Sequence, residues 1–181
     1  MRVALFGGSF NPPHVGHQLV ALYVLETAEV DELWFVPCWK HPFDKTLESF
    51  AHRLRMTELA ATAVGPRARV SDVEARLAGE KSRTLLTIKA LQSSYPQHGF
   101  LLVVGADLEA ELPSWYGAEE LRRSVQILVV GRGGFAGRFP VIMPAVSSTE
   151  IRARLHASQP VDGLVPRAVL AYIREHGLYS A

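Results

Sequence analysis

At 181 residues the chain is long enough for one domain with a buried core and short for two. Hydrophobic residues make up 48% and charged residues 20%, which excludes a disordered chain, and 19 Lys plus Arg against 18 Asp plus Glu exclude a global field that would wrap nucleic acid or bind an anionic membrane. Cys38 is the only cysteine, which excludes an intrachain disulfide and a multi-cysteine zinc site and fits a reducing compartment.

From the N-terminus, RVALF (2–6) has the composition of a strand covered on both faces. VGHQLVALYVLETA (15–28) follows as a helix, with Leu19, Leu22 and Tyr23 expected on its apolar side. ELWFVP (32–37) reads as the next strand and SFAHRLRMTELAATAV (49–64) as the next helix. ARVSDVE (68–74) is a third strand candidate, before the helix RTLLTIKALQSS (83–94) and the strand FLLVVG (100–105). AEELRRS (118–124) is helical, and QILVVGR (126–132) and PVIMP (140–144) are strands, with Gly133 to Pro140 between them as a surface loop. SSTEIRARLHA (147–157) and VPRAVLAYIREHG (165–177) close the chain as helices.

This alternation predicts an α/β doubly wound, Rossmann-like parallel sheet. We expect one domain over residues 1–181, with a C-terminal helical segment from about residue 147 to 181. No apolar run reaches the roughly 18 residues of a membrane span, and Met1 leads into a strand rather than a signal-peptide pattern, so the cytoplasm is expected. In such sheets ligands bind outside the carboxyl ends of the strands, where crossovers diverge.

GGSFNPPHVGH, Gly7 to His17, lies at that edge and is poor core material. Glycine lets backbone amides approach phosphate oxygens, but the spacing is neither GxGxxG nor GxxxxGK[ST], and Gly7-Gly8 alone reads as a turn. His14 and His17 add more. Three apart at a helix start, they share one face near the amide-rich end, with Gly16 keeping that face open. Two imidazoles there suit hydrogen bonding to phosphoryl oxygens. They have no HExxH partner or nearby cysteine, so the metal reading is the weaker one, and surface histidines at a cap are the plain alternative. Near the other end, Ser147, Ser148 and Thr149 precede a helix carrying Arg152. Capping explains one hydroxyl, whereas three with a guanidinium one turn on form an anion cradle.

The first stretch resembles the signature of the HxGH nucleotidyltransferase superfamily, and Ser147 to Arg152 resembles its SSTxIR element. The resemblance implies an ATP site that includes Gly7, Gly8, Ser9, Phe10, Gly16, Gly105, Asp107, Ser148, Thr149 and Arg152. It implies catalytic roles for His14 and His17, with no metal held by the protein and Mg2+ carried by ATP.

Within the superfamily, GADLEAELPSWYGAEEL (105–121) is similar to a segment of the bacterial nicotinate-nucleotide adenylyltransferases whose aromatic stacks on the pyridine ring. That similarity makes Trp115 the candidate platform, on a loop set by Pro113, Ser114 and Gly117. KSRTLLTIKAL (81–91) resembles the family's SYTxxTL element, implying an acceptor contact at Thr84, with Arg83 where tyrosine is usual. VPCWKHPFDK (36–45) aligns loosely with a phosphate-binding loop, which nominates Lys45, with Lys40 as substitute. VPRAVLAYIREHGLY resembles the family tail, where Val165, Val169, Tyr172 and Ile173 form a packing stripe that adds no chemistry of its own.

The implied reaction is transfer of AMP from ATP to nicotinate mononucleotide, giving deamido-NAD and pyrophosphate. The implied partners are ATP and that mononucleotide, with no nucleic acid and no membrane, and a homo-oligomer is compatible with the sequence. The rivals are an HxGH adenylyltransferase for nicotinamide mononucleotide or phosphopantetheine, and a non-catalytic adenine-nucleotide sensor.

Overall fold

The computed structural model describes residues 1–40, 47–78, 82–132 and 141–180. Strands β1 (Arg2–Gly8), β2 (Glu32–Pro37), β3 (Ala68–Val70), β4 (Gly99–Gly105), β5 (Gln126–Arg132) and β6 (Ile142–Met143) pair in parallel in the order β3-β2-β1-β4-β5-β6. Helices α1 (Val15–Thr27), α2 (Phe50–Val64), α3 (Val73–Leu77), α4 (Thr84–Ser94), α5 (Ala118–Ser124), α6 (Ser148–His156) and α7 (Arg167–Glu175) surround it, and a 3-10 helix spans Ala106–Ser114.

Strand side chains alternate between the two faces, so each strand feeds two cores. Ala4, Phe6, Leu33, Phe35, Leu101 and Val103 pack against Ala21, Val24 and Leu25 of α1 and Ala61 of α2. Val3, Leu5, Trp34, Val36, Leu102 and Val104 pack against Leu85, Ile88 and Leu91 of α4 and Leu121 of α5. Burial on both faces is why β1, β2 and β4 read as continuous apolar runs. A third cluster joins Met56 and Ala60 of α2 to Ile151 of α6 and to Val169, Leu170 and Ile173 of α7, which docks the C-terminal helices beside the sheet.

Three expectations are corrected. The strand expected over 68–74 ends at Val70: Ser71 still gives its amide to Phe35, but the chain then turns into α3, too short to show a periodic stripe. The strand expected over 140–144 is confined to Ile142–Met143. In α1 the helical period holds but the phase differs, since Leu19 and Leu22 are 42% and 48% exposed while Gly16, Ala21, Val24 and Leu25 are buried. The smaller residues face the sheet and let the helix approach it closely. Gly133 to Pro140 lies outside the described residues.

From β1 the chain builds β2 and β3 on one side, then returns to add β4, β5 and β6 on the other. The reversal falls between β1 and β4. The carboxyl ends of these two strands, Gly7-Gly8 and Gly105, therefore flank the crevice where such sheets bind ligands.

Candidate active site

The loop after β1 enters α1 through His14, which occupies the N-cap position in extended conformation. His17 Nδ1 accepts the backbone N–H of His14 at 3.1 Å. In the neutral ring that bond places the remaining proton on Nε2, making it a donor. The two rings stack with centroids 3.7 Å apart. His14 is buried and His17 half-buried, so His17 is the more open of the pair. A Cβ at Gly16 would come within 3.0 Å of His14 Nδ1, so glycine is what lets that ring lie against the first turn.

Phe10 is placed differently from a nucleotide contact. Its ring is 1% exposed, meets Phe6, Phe35 and His17 edge-on, and presses on Gly8, where a Cβ would stand 3.0 Å from it. A ring buried on all sides leaves only its backbone to face a ligand, and what it does here is buttress His17. Gly7, unlike Gly8, is exposed, and a Cβ there would meet no atom within 4 Å. Ser9 is half-buried, with its carbonyl accepting from Arg53 at 2.9 Å.

The C-terminal element closes onto this loop from the other end of the chain. Ser147 caps α6 by accepting from the Glu150 amide at 3.1 Å, which leaves the next hydroxyl available for other work. Ser148 Oγ donates to the Pro12 carbonyl at 2.8 Å, and Arg152 Nη1 donates to the Asn11 carbonyl at 2.8 Å. Arg152 Nη2 also reaches Thr149 Oγ1 at 3.4 Å. Val15, the first residue of α1, gives its amide to the Leu164 carbonyl at 3.0 Å, so one of the helix-start donors is already used. His14, His17, Ser148, Thr149 and Arg152 are thus gathered about one loop.

On the β4 side, a Cβ at Gly105 would strike Oδ1 of Asp107, so glycine lets that carboxylate fold against the strand end. The chain after Gly105 winds into the 3-10 helix Ala106–Ser114, so Pro113 and Ser114 belong to that helix, while Trp115 follows its last turn in the expected loop with Gly117. Trp115 is half-buried and packs against the core that includes Leu85 and Leu112. Thr84 opens α4 next to Leu85, whose methyl would meet a Cβ on Gly117, so the two acceptor candidates stand on touching segments. Gly117 also sits at φ +65°, which favours glycine. Lys45 lies outside the described residues, and Lys40 is exposed, tied through its backbone to Ser82.

Two residues to which the sequence assigns no role also shape the site. Arg53 is 1% exposed, and its guanidinium donates to the carbonyls of Glu48 (3.0 Å), Ser9 (2.9 Å) and Trp39 (3.2 Å). It joins the loops after β1 and β2, and burial lowers its pKa from the ordinary value. Its position three before Met56 and seven before Ala60 set it on the buried face of α2, a signal visible in the sequence. Tyr179 gives its hydroxyl to Asn11 Oδ1 at 2.7 Å, so the tail does more than pack. Burial, with Glu48 nearby, pushes that hydroxyl's pKa up, which keeps it a donor. Asn11 itself is 1% exposed and also accepts from the Glu48 amide.

A buried carboxylate orders the far wall. Glu74 accepts from the Trp39 amide at 2.9 Å, from Thr87 Oγ1 at 2.9 Å and from Ser82 Oγ. Trp39, Glu74, Ser82, Arg83 and Leu86 line a pocket there.

The family model described as "Cytidylyltransferase-like" matches residues 5–154. A protein of Anaeromyxobacter sp. (strain K), named probable nicotinate-nucleotide adenylyltransferase, is 45% identical, over 98% of this chain and 96% of its own. The nicotinate-nucleotide adenylyltransferase of Bacillus subtilis (strain 168) is 36% identical over 99% of each. The solved Plasmodium falciparum nicotinic acid mononucleotide adenylyltransferase complexed with NaAD shares the fold at TM-score 0.84, with 23% identity and coverage of 98% of this chain and 97% of that one.

Proposed function

Because the chain belongs to the cytidylyltransferase-like family, and within it to the nicotinate-nucleotide adenylyltransferases, we propose that it transfers AMP from ATP to nicotinate mononucleotide, forming deamido-NAD and pyrophosphate in NAD biosynthesis. The observation that carries this reading is the docking of Arg152 and Ser148 on the Asn11 and Pro12 carbonyls, three and two residues before His14.

The reaction needs no activated side-chain nucleophile, since the acceptor's phosphate is already an anion. An oxygen of that phosphate attacks the α-phosphorus, the bond to the bridging α-β oxygen breaks, and pyrophosphate leaves. The obstacle is repulsion between two anions, so the protein's task is alignment and neutralisation. In our reading His17 donates from Nε2 to an α-phosphoryl oxygen and His14 fixes its ring by stacking. Thr149, the backbone amide of Ser148 at the start of α6 and the remaining N–H donors of Arg152 hold the departing pyrophosphate.

Gly7, Gly8, Ser9 and Gly16 would bring backbone close to the nucleotide, with Gly105 and Asp107 shaping its other side. Thr84, Trp115 and Lys45 take the acceptor. Phosphate oxygens are the ligands a hard cation prefers, so Mg2+ carried by ATP would offset part of their charge. Among the described residues no three His, Cys, Asp or Glu side chains group to hold an ion of their own. We assign the enzyme to the cytoplasm, acting as one domain over residues 1–181.

The test is turnover of α-labelled ATP with nicotinate mononucleotide, nicotinamide mononucleotide and phosphopantetheine in parallel. Label should pass into a dinucleotide fastest with the acid mononucleotide, with one pyrophosphate released per transfer. ATP binding without transfer to any of the three would favour a nucleotide sensor instead.

A further inference from the structure

Arg83 has no part in the mechanism above, yet it stands between the two segments that take the acceptor. It directly precedes Thr84 at the start of α4, and its guanidinium lies over the ring of Tyr116, 4.0 Å from the centroid, one residue after Trp115. Both side chains are exposed, Tyr116 by 54%, so the pair forms a surface wall rather than part of the core.

Among the described residues no carboxylate pairs with Arg83. Glu74, which lines a pocket with Arg83, is committed to Trp39, Ser82 and Thr87, while on α5 Glu119 pairs with Arg123 and Glu120 with Lys89. A guanidinium seated over a ring is held in place by its face while its in-plane N–H donors stay available at its edge. That is a preformed cation with no anion partner among the described residues, held on a ring one residue from the proposed pyridine platform Trp115.

We propose that Arg83 recognises the carboxylate on the acceptor's pyridine ring and sets the preference for the acid over the amide mononucleotide. The assignment rests on the adenylyl-transfer reading above. A carboxylate offers a guanidinium two accepting oxygens and an opposite charge. A carboxamide offers one oxygen and an NH2 group that faces donors with another donor. Discrimination therefore has an attractive and a repulsive component.

The experiment compares kcat/KM for nicotinate and nicotinamide mononucleotides at saturating ATP in the wild type, Arg83→Gln and Arg83→Lys, with thermal midpoints measured alongside. Arg83→Gln should lower the acid-to-amide ratio about tenfold or more, with the loss confined to the acid, and Arg83→Lys should keep part of the preference. The KM for ATP serves as the readout of general damage and should not move. An unchanged ratio, or an equal loss for both acceptors, would overturn the assignment, the second because it would point to the phosphate they share. If the wild type used neither mononucleotide, the adenylyl-transfer reading would fall and Arg83's role with it. If it used the acid and the ratio stayed fixed in Arg83→Gln, only Arg83's role would fall.

Discussion

The guanidinium of Arg152 donates to the backbone carbonyl of Asn11 at 2.8 Å, across 141 positions of sequence. Asn11 belongs to the loop that delivers His14 and His17, so one hydrogen bond ties the group expected to hold the leaving phosphates to the groups expected to act on the α-phosphorus. Arg152 keeps further N–H donors for a ligand, which a lysine in its place would not arrange as a fork. Arg152→Lys should therefore lower kcat/KM for ATP by about tenfold or more while the protein stays folded, as read by initial rates and circular dichroism. Unimpaired ATP kinetics would remove Arg152 from the site.

His17 presents Nε2–H because its other nitrogen is occupied by the His14 amide. His17→Ala should cut kcat by about 100-fold or more, the scale seen when a transition-state donor is removed, with ATP affinity changed by only about threefold. Parallel losses in both quantities would mean that His17 serves ground-state binding. His17→Asn, which restores a donor without the ring, should recover part of the rate.

Arg53 holds three carbonyls from the ends of two loops, with its own charge buried among them. Truncation leaves these acceptors without their donor, so Arg53→Met should cost about 3 kcal/mol or more in a denaturant titration. Arg53→Lys should recover little, because one ammonium cannot span the three positions. Stability within experimental error of wild type for Arg53→Met would refute this role.

Much of this architecture is legible in the sequence, for reasons that also explain the gaps. β1, β2, β4 and β5 are covered on both faces, so their burial appears as unbroken apolar runs, and Ser49, Ser147 and Gly117 mark helix starts through capping or backbone conformation. The 3-10 helix over 106–114 has too poor a period to announce itself, and α3 too few residues. α1 shows the limit of periodicity: Leu19 and Leu22 share a helical spacing, yet the sheet takes the face that carries Ala21, and the choice between faces is made by shape. His14, His17 and Arg152 were visible as residue types in a pattern. That Tyr179 would reach Asn11 was not, because a bond between positions 168 apart leaves no local trace.

Tyr179 offers a clean probe of that long-range brace. Tyr179→Phe keeps the ring and removes only the hydroxyl that Asn11 accepts, so stability should fall by about 1 kcal/mol while kcat falls several-fold through looser placement of the His14 loop. A stability loss with kcat unchanged would confine Tyr179 to packing.

Cys38 is half-buried behind Arg53, and burial pushes its thiol up to about 11 despite the nearby guanidinium. The neutral thiol is then the native form across the physiological range, and thiolate appears only as pH rises toward that value. At pH 8 the thiolate fraction is about one in a thousand, so alkylation of the native protein should run about 100-fold slower than of the denatured chain and climb roughly tenfold per pH unit. Equal rates in the two states would contradict the buried environment.

On this reading the first loop and the start of α6 grip one triphosphate. The most direct measurement is a crystal structure with a non-hydrolysable ATP analogue bound. We expect the α-phosphate within hydrogen-bond distance of His17 Nε2 and the outer phosphates on Thr149 and Arg152 of the same molecule. A nucleotide that met only one of these two elements, or that bound away from the β1-β4 crevice, would contradict the account.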